Sequence, residues 1–354
     1  MMGYSNTFPP RRYLFFVTQP YSFPILEPLQ EFIRKETPGE VRWYTASNAR
    51  QSSPPGEQLT SWIQVERFSP DAVVVPGNVV PHFWPGLKVQ VFHSLGEEKK
   101  GYYRITGFFD LYCTGGPVTT RRYVALAQRH GHFMVAQTGW PKLDPLSREV
   151  DRQLLRKEMG LSSGKPVLLY APTFRPKYTS APDLLSTFQE LRRDAWQWVV
   201  KFHALMDPAV VEGYRSLERD GFRVVRADSV LPLLQVADLL ITDTSSVAYE
   251  FLLLDRPIIT YRAAARRDKG IDLQTPGELP EAIEHALGNP GEYSNRRKSY
   301  LRVLHPYQDG ESSRRVVESI ENVLQNDLHL KLKPKPHNLV RKWQIRRLVA
   351  LESS

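Results

Sequence analysis

Two histidines lie where an α/β active site would need a proton acceptor. His93 follows the apolar segment KVQVF (88–92), and His203 follows WVVKF (198–202); both segments are typical of buried strands. Ligand sites of open α/β sheets form at the carboxyl ends of strands, and an imidazole there can serve as a general base. The alternative for each residue is a loop histidine bonded to backbone. Because each histidine directly follows a predicted strand, we expect one at the carboxyl edge of each of two sheets, with the two edges facing one cleft.

The segment 231–261 predicts a βαβ unit with a turn suited to a phosphate. A buried strand ends at Asp243, a hydroxyl-rich turn carries Ser245 and Ser246, and an apolar helix is expected over 247–254. Free backbone N–H groups and the positive end of the helix dipole favour anions at such a turn. A plain serine N-cap would explain one hydroxyl. Two adjacent serines behind an aspartate exceed that need, and we interpret them as an anion site.

Two further segments could contact a phosphate. Arg175 ends LLYAPTFR, a strand running into a Pro-Thr turn, where a guanidinium can hold a phosphate through two hydrogen bonds. The segment HPYQDGESSR (305–314) is a second hydroxyl-rich helix entry. Ser312 or Ser313 could cap that helix, and Ser313 and Arg314 are candidate phosphate ligands. The alternatives are a surface arginine for Arg175 and simple capping for the serines.

The chain lacks the motifs of several other sites. Its nine histidines and one cysteine form no HExxH pattern and no Cys/His pairs, so no metal is predicted. Neither GxGxxG nor GxxxxGK[ST] occurs, so neither a dinucleotide cofactor nor a P-loop is expected. We therefore predict a site without metal and without cofactor.

The segments around these residues alternate between apolar strands and helices, which predicts parallel sheets in an α/β fold. Strands are expected at 13–17, 41–45, 71–76, 88–92, 110–113, 133–137, 166–170, 198–202, 222–225, 239–242 and 258–261. A chain of 354 residues suggests two domains. We place them at 1–145 and 146–326, followed by a tail at 327–354.

Charge is concentrated in the tail. The chain carries a net charge of +9, and residues 328–354 hold seven Lys and Arg against one Glu, or +6. Such a segment can meet an anionic membrane or nucleic acid, or remain a solvated tail. Its apolar residues do not segregate on a helical wheel, although Trp343 could anchor at an interface.

Other features bear on location. No apolar run approaches the ~20 residues that span a bilayer. The N-terminus lacks the long apolar region of a signal peptide. A lone cysteine, Cys113, forbids an internal disulfide and fits a reducing compartment. We expect a cytoplasmic protein associated peripherally with the inner face of the membrane.

The motifs of this chain, in the order in which they occur along the sequence, resemble those of the CDP-glycerol glycerophosphotransferases that build teichoic-acid-like polymers. The resemblance covers roughly 91–320, and 237–261 is its most specific part. The segments that carry it are VFHSLGEEKKG (91–101), GWPKLD (139–144), LLYAPTFR (168–175), VVKFHA (199–204), ADLLITDTSSVAYEFLLLDRPIITY (237–261) and HPYQDGESSRRVVESI (305–320).

The resemblance implies a GT-B fold, with the acceptor in the first Rossmann-like domain and the nucleotide donor mostly in the second. His93 would be the general base, and His203 would contact or activate the donor phosphate. The residues implied to hold the diphosphate are Arg175, Ser245, Ser246 and Arg314, with Asp243 and Asp309 orienting their loops. Two positions depart from the family pattern: Ser94 replaces a glycine and narrows the room beside His93, and Ala204 replaces a proline.

The implied reaction is a displacement at phosphorus. An acceptor hydroxyl on a lipid-linked molecule or a glycan would lose its proton to His93 and attack the β-phosphate of CDP-glycerol, releasing CMP. Two alternatives remain open. One is a GT-B glycosyltransferase, or a polyol-phosphate transferase, that uses another nucleotide donor. The other is a nucleic-acid-binding protein that uses the basic tail, although the body charge of about +3 and the absence of a recognition motif argue against nucleic acid.

Overall fold

The computed structural model describes residues 8–98, 101–191, 195–227 and 229–350, and the chain divides into two compact units. Unit 1 comprises residues up to Ser147 together with Val303 onward, and unit 2 comprises Arg148–Arg302. Each is a parallel sheet with helices, as the alternation of apolar segments predicts.

The sheet of unit 1 has the strand order β2-β1-β3-β4-β5-β6, and every pair is parallel. The strands are β1 Arg12–Val17, β2 Glu40–Thr45, β3 Ala72–Val75, β4 Leu87–Gln90, β5 Leu111–Thr114 and β6 Met134–Gln137. Strands β1, β3, β4 and β5 are almost fully buried, as expected for parallel strands covered on both faces. An aromatic cluster that includes Tyr44, Trp84 and Tyr123 fills one part of the core.

The sheet of unit 2 has the order β12-β11-β10-β7-β8-β9, again all parallel. Its strands are β7 Val167–Tyr170, β8 Gln197–Val200, β9 Phe222–Val224, β10 Leu239–Thr242, β11 Ile258–Tyr261 and β12 Ile271–Leu273. All eleven predicted strands are confirmed, while the short edge strand β12 was not predicted. Its three residues, IDL, are interrupted by Asp272 and are too short to form a recognisable apolar run.

The helices described are α1 Phe23–Glu36, α2 Trp62–Phe68, α3 Pro117–His130, α4 Arg152–Glu158, α5 Ala181–Glu190, α6 Pro208–Arg215, α7 Leu231–Val236, α8 Val247–Phe251, α9 Leu279–Gly288, α10 Ser294–Leu304, α11 Ser312–Gln325 and α12 Leu339–Ala350. The helix predicted over 247–254 is shorter than expected. It is α-helical only to Phe251, continues as a 3₁₀ turn over Leu252–Leu254, and stops at Asp255, which has a left-handed φ of 48°. In the described part of the chain, no helix has the length and apolarity that a bilayer crossing requires.

The structure differs from the predicted domain limits after residue 302. Helix α11, expected in the second domain, packs against α1, β4 and β5 of unit 1 through a buried stripe that includes Val316, Val317 and Ile320. Glu321 on the same helix forms an ion pair with Arg11. A contiguous 146–326 domain is therefore not what forms, because the apolar face of α11 is buried in unit 1.

The segment predicted as a basic tail is also part of unit 1. Helix α12 buries Ile345 and Val349 in the aromatic core of that unit. Lys335 donates to the carbonyl of Phe108 and forms an ion pair with Asp110. One positive charge of the basic segment is therefore paired within unit 1. Single buried residues spaced four apart are too few to mark an amphipathic helix in a sequence.

Candidate functional site

In unit 1, His93 lies in the turn that follows β4, at the carboxyl end of the strand, and its side chain is exposed. The turn begins at Phe92, whose φ of 60° lies in the left-handed region, which a bulky residue rarely adopts. The ring of Tyr21, which follows β1, has its centroid 6.3 Å from that of His93. The structure thus presents the predicted base at the sheet edge where ligand sites form.

The residues on either side of His93 are buried and held by hydrogen bonds. The Phe92 ring stacks on Tyr102 with centroids 5.3 Å apart, and the Phe92 carbonyl accepts from the indole Nε1 of Trp140 at 3.2 Å. The hydroxyl of Ser94 accepts from the backbone N–H of Gly96 at 2.9 Å. Ser94 is 4% exposed, so its side chain turns into the protein rather than toward the solvent that His93 faces.

In unit 2, Asp243 fixes the loop that carries Arg175. It is 1% exposed at the end of β10; its Oδ1 accepts from the N–H of Thr173 at 2.8 Å. Its Oδ2 accepts from both the N–H and the hydroxyl of Ser180 at 2.9 and 3.0 Å. Arg175 lies between these anchors with an exposed side chain, and among the described residues its guanidinium has no ion-pair partner. Asp243 therefore sets the path of the loop from which Arg175 projects.

The turn after Asp243 presents Ser245 and Ser246, both half-buried, at the start of α8. The side chain of Ser246 makes no capping hydrogen bond to the helix. Thr244, one residue earlier, accepts from the backbone N–H of Ala264 at 3.1 Å and so ties the turn to the loop after β11. The structure therefore shows no simple N-capping by the Ser246 hydroxyl.

His203 lies at the carboxyl end of β8, three residues beyond the strand, and its ring stacks on Phe174 with centroids 4.4 Å apart. Its Nδ1 accepts from the backbone N–H of Leu205 at 3.1 Å. The neutral ring consequently carries its proton on Nε2, which makes that nitrogen a hydrogen-bond donor. A donor at Nε2 is compatible with the contact to the donor phosphate that stays a prediction for His203.

Three predicted phosphate-site residues belong to unit 1 and already serve other contacts. Asp309 pairs with Arg315, which lowers the pKa of that carboxyl. Ser313 is 3% exposed, and its backbone N–H donates to Asp144, while its hydroxyl has no hydrogen-bond partner among the described residues. Arg314 donates to Glu311 at 2.5 Å and lies over the Phe32 ring, 5.1 Å from its centroid. The phosphate roles of Ser313 and Arg314 stay predictions.

The start of α11 is filled by a carboxylate from the protein itself. Asp144 is buried, and its two oxygens accept the backbone N–H groups of Ser312 and Ser313 at 2.9 and 2.8 Å. The predicted second anion site is thus occupied by a tertiary cap. Asp144 ends the segment GWPKLD (139–144), and no sequence pattern indicates that it contacts a helix 168 residues away.

His305 was also missed as a structural partner. It is 2% exposed, and its Nε2 accepts from the backbone N–H of Trp140 at 3.0 Å. Burial lowers the pKa of His305 to about 4, so the ring is neutral at physiological pH. Gly139, with a φ of 81°, leaves room for this contact, since a Cβ there would lie 3.1 Å from the same nitrogen.

Comparison with protein families identifies a match over residues 97–322 to the model described as CDP-Glycerol:Poly(glycerophosphate) glycerophosphotransferase. The teichoic acid glycerol-phosphate primase of Bacillus subtilis (strain 168) is 28% identical over 199 residues, which cover 52% of this chain and 51% of that protein. The teichoic acid ribitol-phosphate polymerase TarK of Staphylococcus aureus is 28% identical over 271 residues, or 66% and 52%. The chain spans about half the length of these curated relatives.

Among solved structures, the wall teichoic acid polymerase TagF, in a variant soaked with CDPG, matches with a TM-score of 0.68 and 17% identity over 91% of each chain. The S. aureus MnaA-UDP co-structure matches with a TM-score of 0.62 and 14% identity, over 89% of this chain and 97% of that one. Likeness over nine tenths of the chain establishes the expected fold class, GT-B with two Rossmann-like domains.

Proposed function

The chain belongs to the CDP-glycerol:poly(glycerophosphate) glycerophosphotransferase family, and we propose that it transfers glycerol phosphate from CDP-glycerol to an acceptor hydroxyl in the synthesis of a cell-envelope polymer. The observation that carries the proposal is the arrangement in unit 2. There Asp243 holds the Arg175 loop while the adjacent turn presents Ser245 and Ser246.

The donor side of the proposal rests on charge and hydrogen-bond capacity. A diphosphate offers negatively charged oxygens, for which a guanidinium and hydroxyl donors are suitable partners. Arg175 supplies the guanidinium, Ser245 and Ser246 supply hydroxyls, and the Nε2–H of His203 supplies a further donor. Asp243 contributes by orientation, because both its oxygens are engaged by backbone N–H groups of the Arg175 loop.

The acceptor side rests on His93. It is exposed at a strand end of unit 1, and its neighbours Phe92 and Ser94 are buried and hydrogen-bonded, so the turn that presents it is well defined. In the proposed reaction the acceptor O–H gives its proton to His93 as its oxygen bonds to the β-phosphorus. The bond from that phosphorus to the bridging oxygen breaks, and CMP leaves with the electron pair. A positioned base contributes ~10²–10⁴-fold to such a rate.

The direct test is release of CMP from CDP-glycerol by the purified full chain. We expect CMP only when a lipid-linked or glycan acceptor is present, with equimolar gain of glycerol phosphate on the acceptor. Because one relative is a ribitol-phosphate polymerase, CDP-ribitol should be assayed in parallel to identify the donor. Consumption of a nucleotide sugar, with no CMP from either CDP-polyol, would instead support the glycosyltransferase alternative.

We further propose that α12 brings the protein to an anionic membrane surface. The first turns of this helix expose Leu339, Val340 and Trp343 by 71%, 72% and 60%. Arg346 and Arg347 are exposed on the same helix, and Arg347 lies over the Trp343 ring at 5.5 Å. Exposed aromatic and aliphatic side chains beside cations suit shallow interfacial binding. A nucleic-acid role has less support, because part of the basic segment is packed into unit 1.

A further inference from the structure

The turn that presents His93 contains a backbone conformation, at Phe92, that is unfavourable unless neighbouring residues stabilise it. Phe92 has a left-handed φ of 60°, and for a bulky residue this backbone geometry persists only where its surroundings impose it. Its ring is fixed by Tyr102, but ring stacking alone does not determine the direction of the peptide that follows. The peptide group between Phe92 and His93 sets where the imidazole points.

A hydrogen bond from a distant tryptophan acts on that peptide. The indole Nε1 of Trp140 donates to the Phe92 carbonyl at 3.2 Å, and the indole is 1% exposed. A buried bond of this kind is not exchanged with water, so it restrains the carbonyl and with it the plane of the Phe92–His93 peptide. Trp140 lies beyond β6, 48 residues along the chain from Phe92.

The backbone of Trp140 is itself held by the C-terminal segment. Its N–H donates to Nε2 of His305 at 3.0 Å. His305 is buried and its low pKa keeps the ring neutral, so Nε2 remains an acceptor across the physiological pH range. The contacts therefore run without interruption from His305 through Trp140 and Phe92 to His93, all within unit 1.

We propose that Trp140 is a positioning residue for His93, and that His305 holds Trp140 in the orientation this requires. The inference rests on the proposed role of His93 as general base. It assigns to the returning segment after Val303 a part in the chemistry of unit 1 as well as in its folding. Displacing a reacting group by ~1 Å can reduce a rate by ~10²-fold, so loss of the indole N–H should act mainly on turnover.

The test is Trp140→Phe in the full chain, with Trp84→Phe as the matched control. Trp84 is also buried in unit 1 at 3% exposure, but its indole nitrogen has no hydrogen-bond partner among the described residues. We expect Trp140→Phe to lower kcat by ~10–10²-fold with an unchanged KM for the CDP-polyol donor, and Trp84→Phe to stay within about twofold of the natural protein. A folded Trp140→Phe protein with natural kcat would overturn the proposal.

Two measurements separate this inference from the function on which it rests. NMR of labelled histidine should show altered His93 ring resonances and pH titration in Trp140→Phe but not in Trp84→Phe, whether or not any transfer is detected. Unaltered His93 resonances would overturn the proposal even if the enzyme is active. If Trp140→Phe does not fold, hydrogen exchange of the Trp140 indole in the natural protein decides. A strongly protected proton that responds to His93 titration supports the proposal, and a rapidly exchanging one overturns it.

Discussion

Asp144 and Ser313 are 169 residues apart in the chain, yet Oδ2 of the first accepts the backbone N–H of the second at 2.8 Å. Oδ1 of Asp144 also accepts the N–H of Ser312. The two hydrogen bonds satisfy two of the N–H groups at the start of α11 that have no partner within the helix. A carboxylate at that position also complements the helix dipole. The returning C-terminal segment is thereby tied to unit 1 at the point where the helix starts.

Two buried groups beside Ser312 at the start of α11, Asp144 and His305, predict opposite pH dependences of stability. Burial raises the pKa of Asp144 to about 6 and lowers that of His305 to about 4. The folded state binds the Asp144 proton more tightly than the unfolded state does, so this stabilising contribution is present below pH ~4 and is lost as pH rises through ~6. The His305 contribution is present above pH ~6.5 and is lost as pH falls through ~4.

Urea unfolding of Asp144→Asn and His305→Gln between pH 4 and 7 checks these signs. Relative to the natural protein, the unfolding free energy of Asp144→Asn should rise with pH across pH 4–6, and that of His305→Gln should fall across pH 4–6.5. Each relative change is ~3 kcal/mol, from about two pKa units at ~1.4 kcal/mol each. Variant curves parallel to the natural one would contradict the assigned shifts.

Replacing His93 tests the proposed base. His93→Ala should lower transfer by ~10²–10⁴-fold, because the acceptor proton then has no positioned recipient. Its stability should change little, since the side chain is exposed. His285→Ala, which removes an exposed histidine paired with Glu292 in unit 2, is the control and should retain full activity. A folded His93→Ala protein with most of its turnover would rule out the assignment.

The donor site predicts a loss of affinity when the turn hydroxyls are removed. The double change Ser245→Ala and Ser246→Ala should weaken CDP-glycerol binding by ~1.5–3 kcal/mol for each hydrogen bond lost to a charged oxygen. Helix α8 should persist, because Val247 and Phe251 remain buried. Ser216→Ala removes an exposed hydroxyl elsewhere in unit 2 and serves as control in the same calorimetric titration. Equal affinities in all three proteins would refute the site.

Membrane association should depend on the exposed start of α12. Replacing Leu339 and Trp343 with serine should reduce sedimentation with phosphatidylserine vesicles, and high salt should release the natural protein because screening weakens its cationic contacts. Trp62→Ser is a suitable control, since Trp62 is 41% exposed on α2. If the double variant sediments as the natural protein does, α12 is not the contact.

Deleting the whole segment after Asp327 would alter both membrane association and the stability of unit 1, because Ile345 and Val349 are buried in the core of that unit. We expect Ile345→Ala to lower the unfolding free energy by ~2–5 kcal/mol, the usual effect of truncating a buried isoleucine. Leu339→Ala on the same helix, at 71% exposure, should change it by less than ~0.5 kcal/mol. Equal denaturation midpoints would show that α12 contributes nothing to the core.

Much of the fold follows from local sequence. Most of the eleven predicted strands are predominantly apolar runs bounded by polar turns, and such runs identify buried parallel strands without knowledge of their partners. The strand ends then locate His93, His203 and the turn at Asp243, because the carboxyl ends of parallel strands share one edge of a sheet. The resemblance in motifs extended this to the family, which the match over residues 97–322 establishes.

What only the tertiary structure decided are contacts between residues far apart in the chain. No local pattern shows that Asp144 caps α11, that Trp140 holds the carbonyl before His93, or that Ile345 enters the core of unit 1. A serine-rich helix N-terminus has the same sequence pattern whether it binds a phosphate or a carboxylate of the protein itself, since both anions accept hydrogen bonds from the same N–H groups. Hydrophobic periodicity indicates which residues are buried, and only the packing of complete helices and strands determines which other residues they contact.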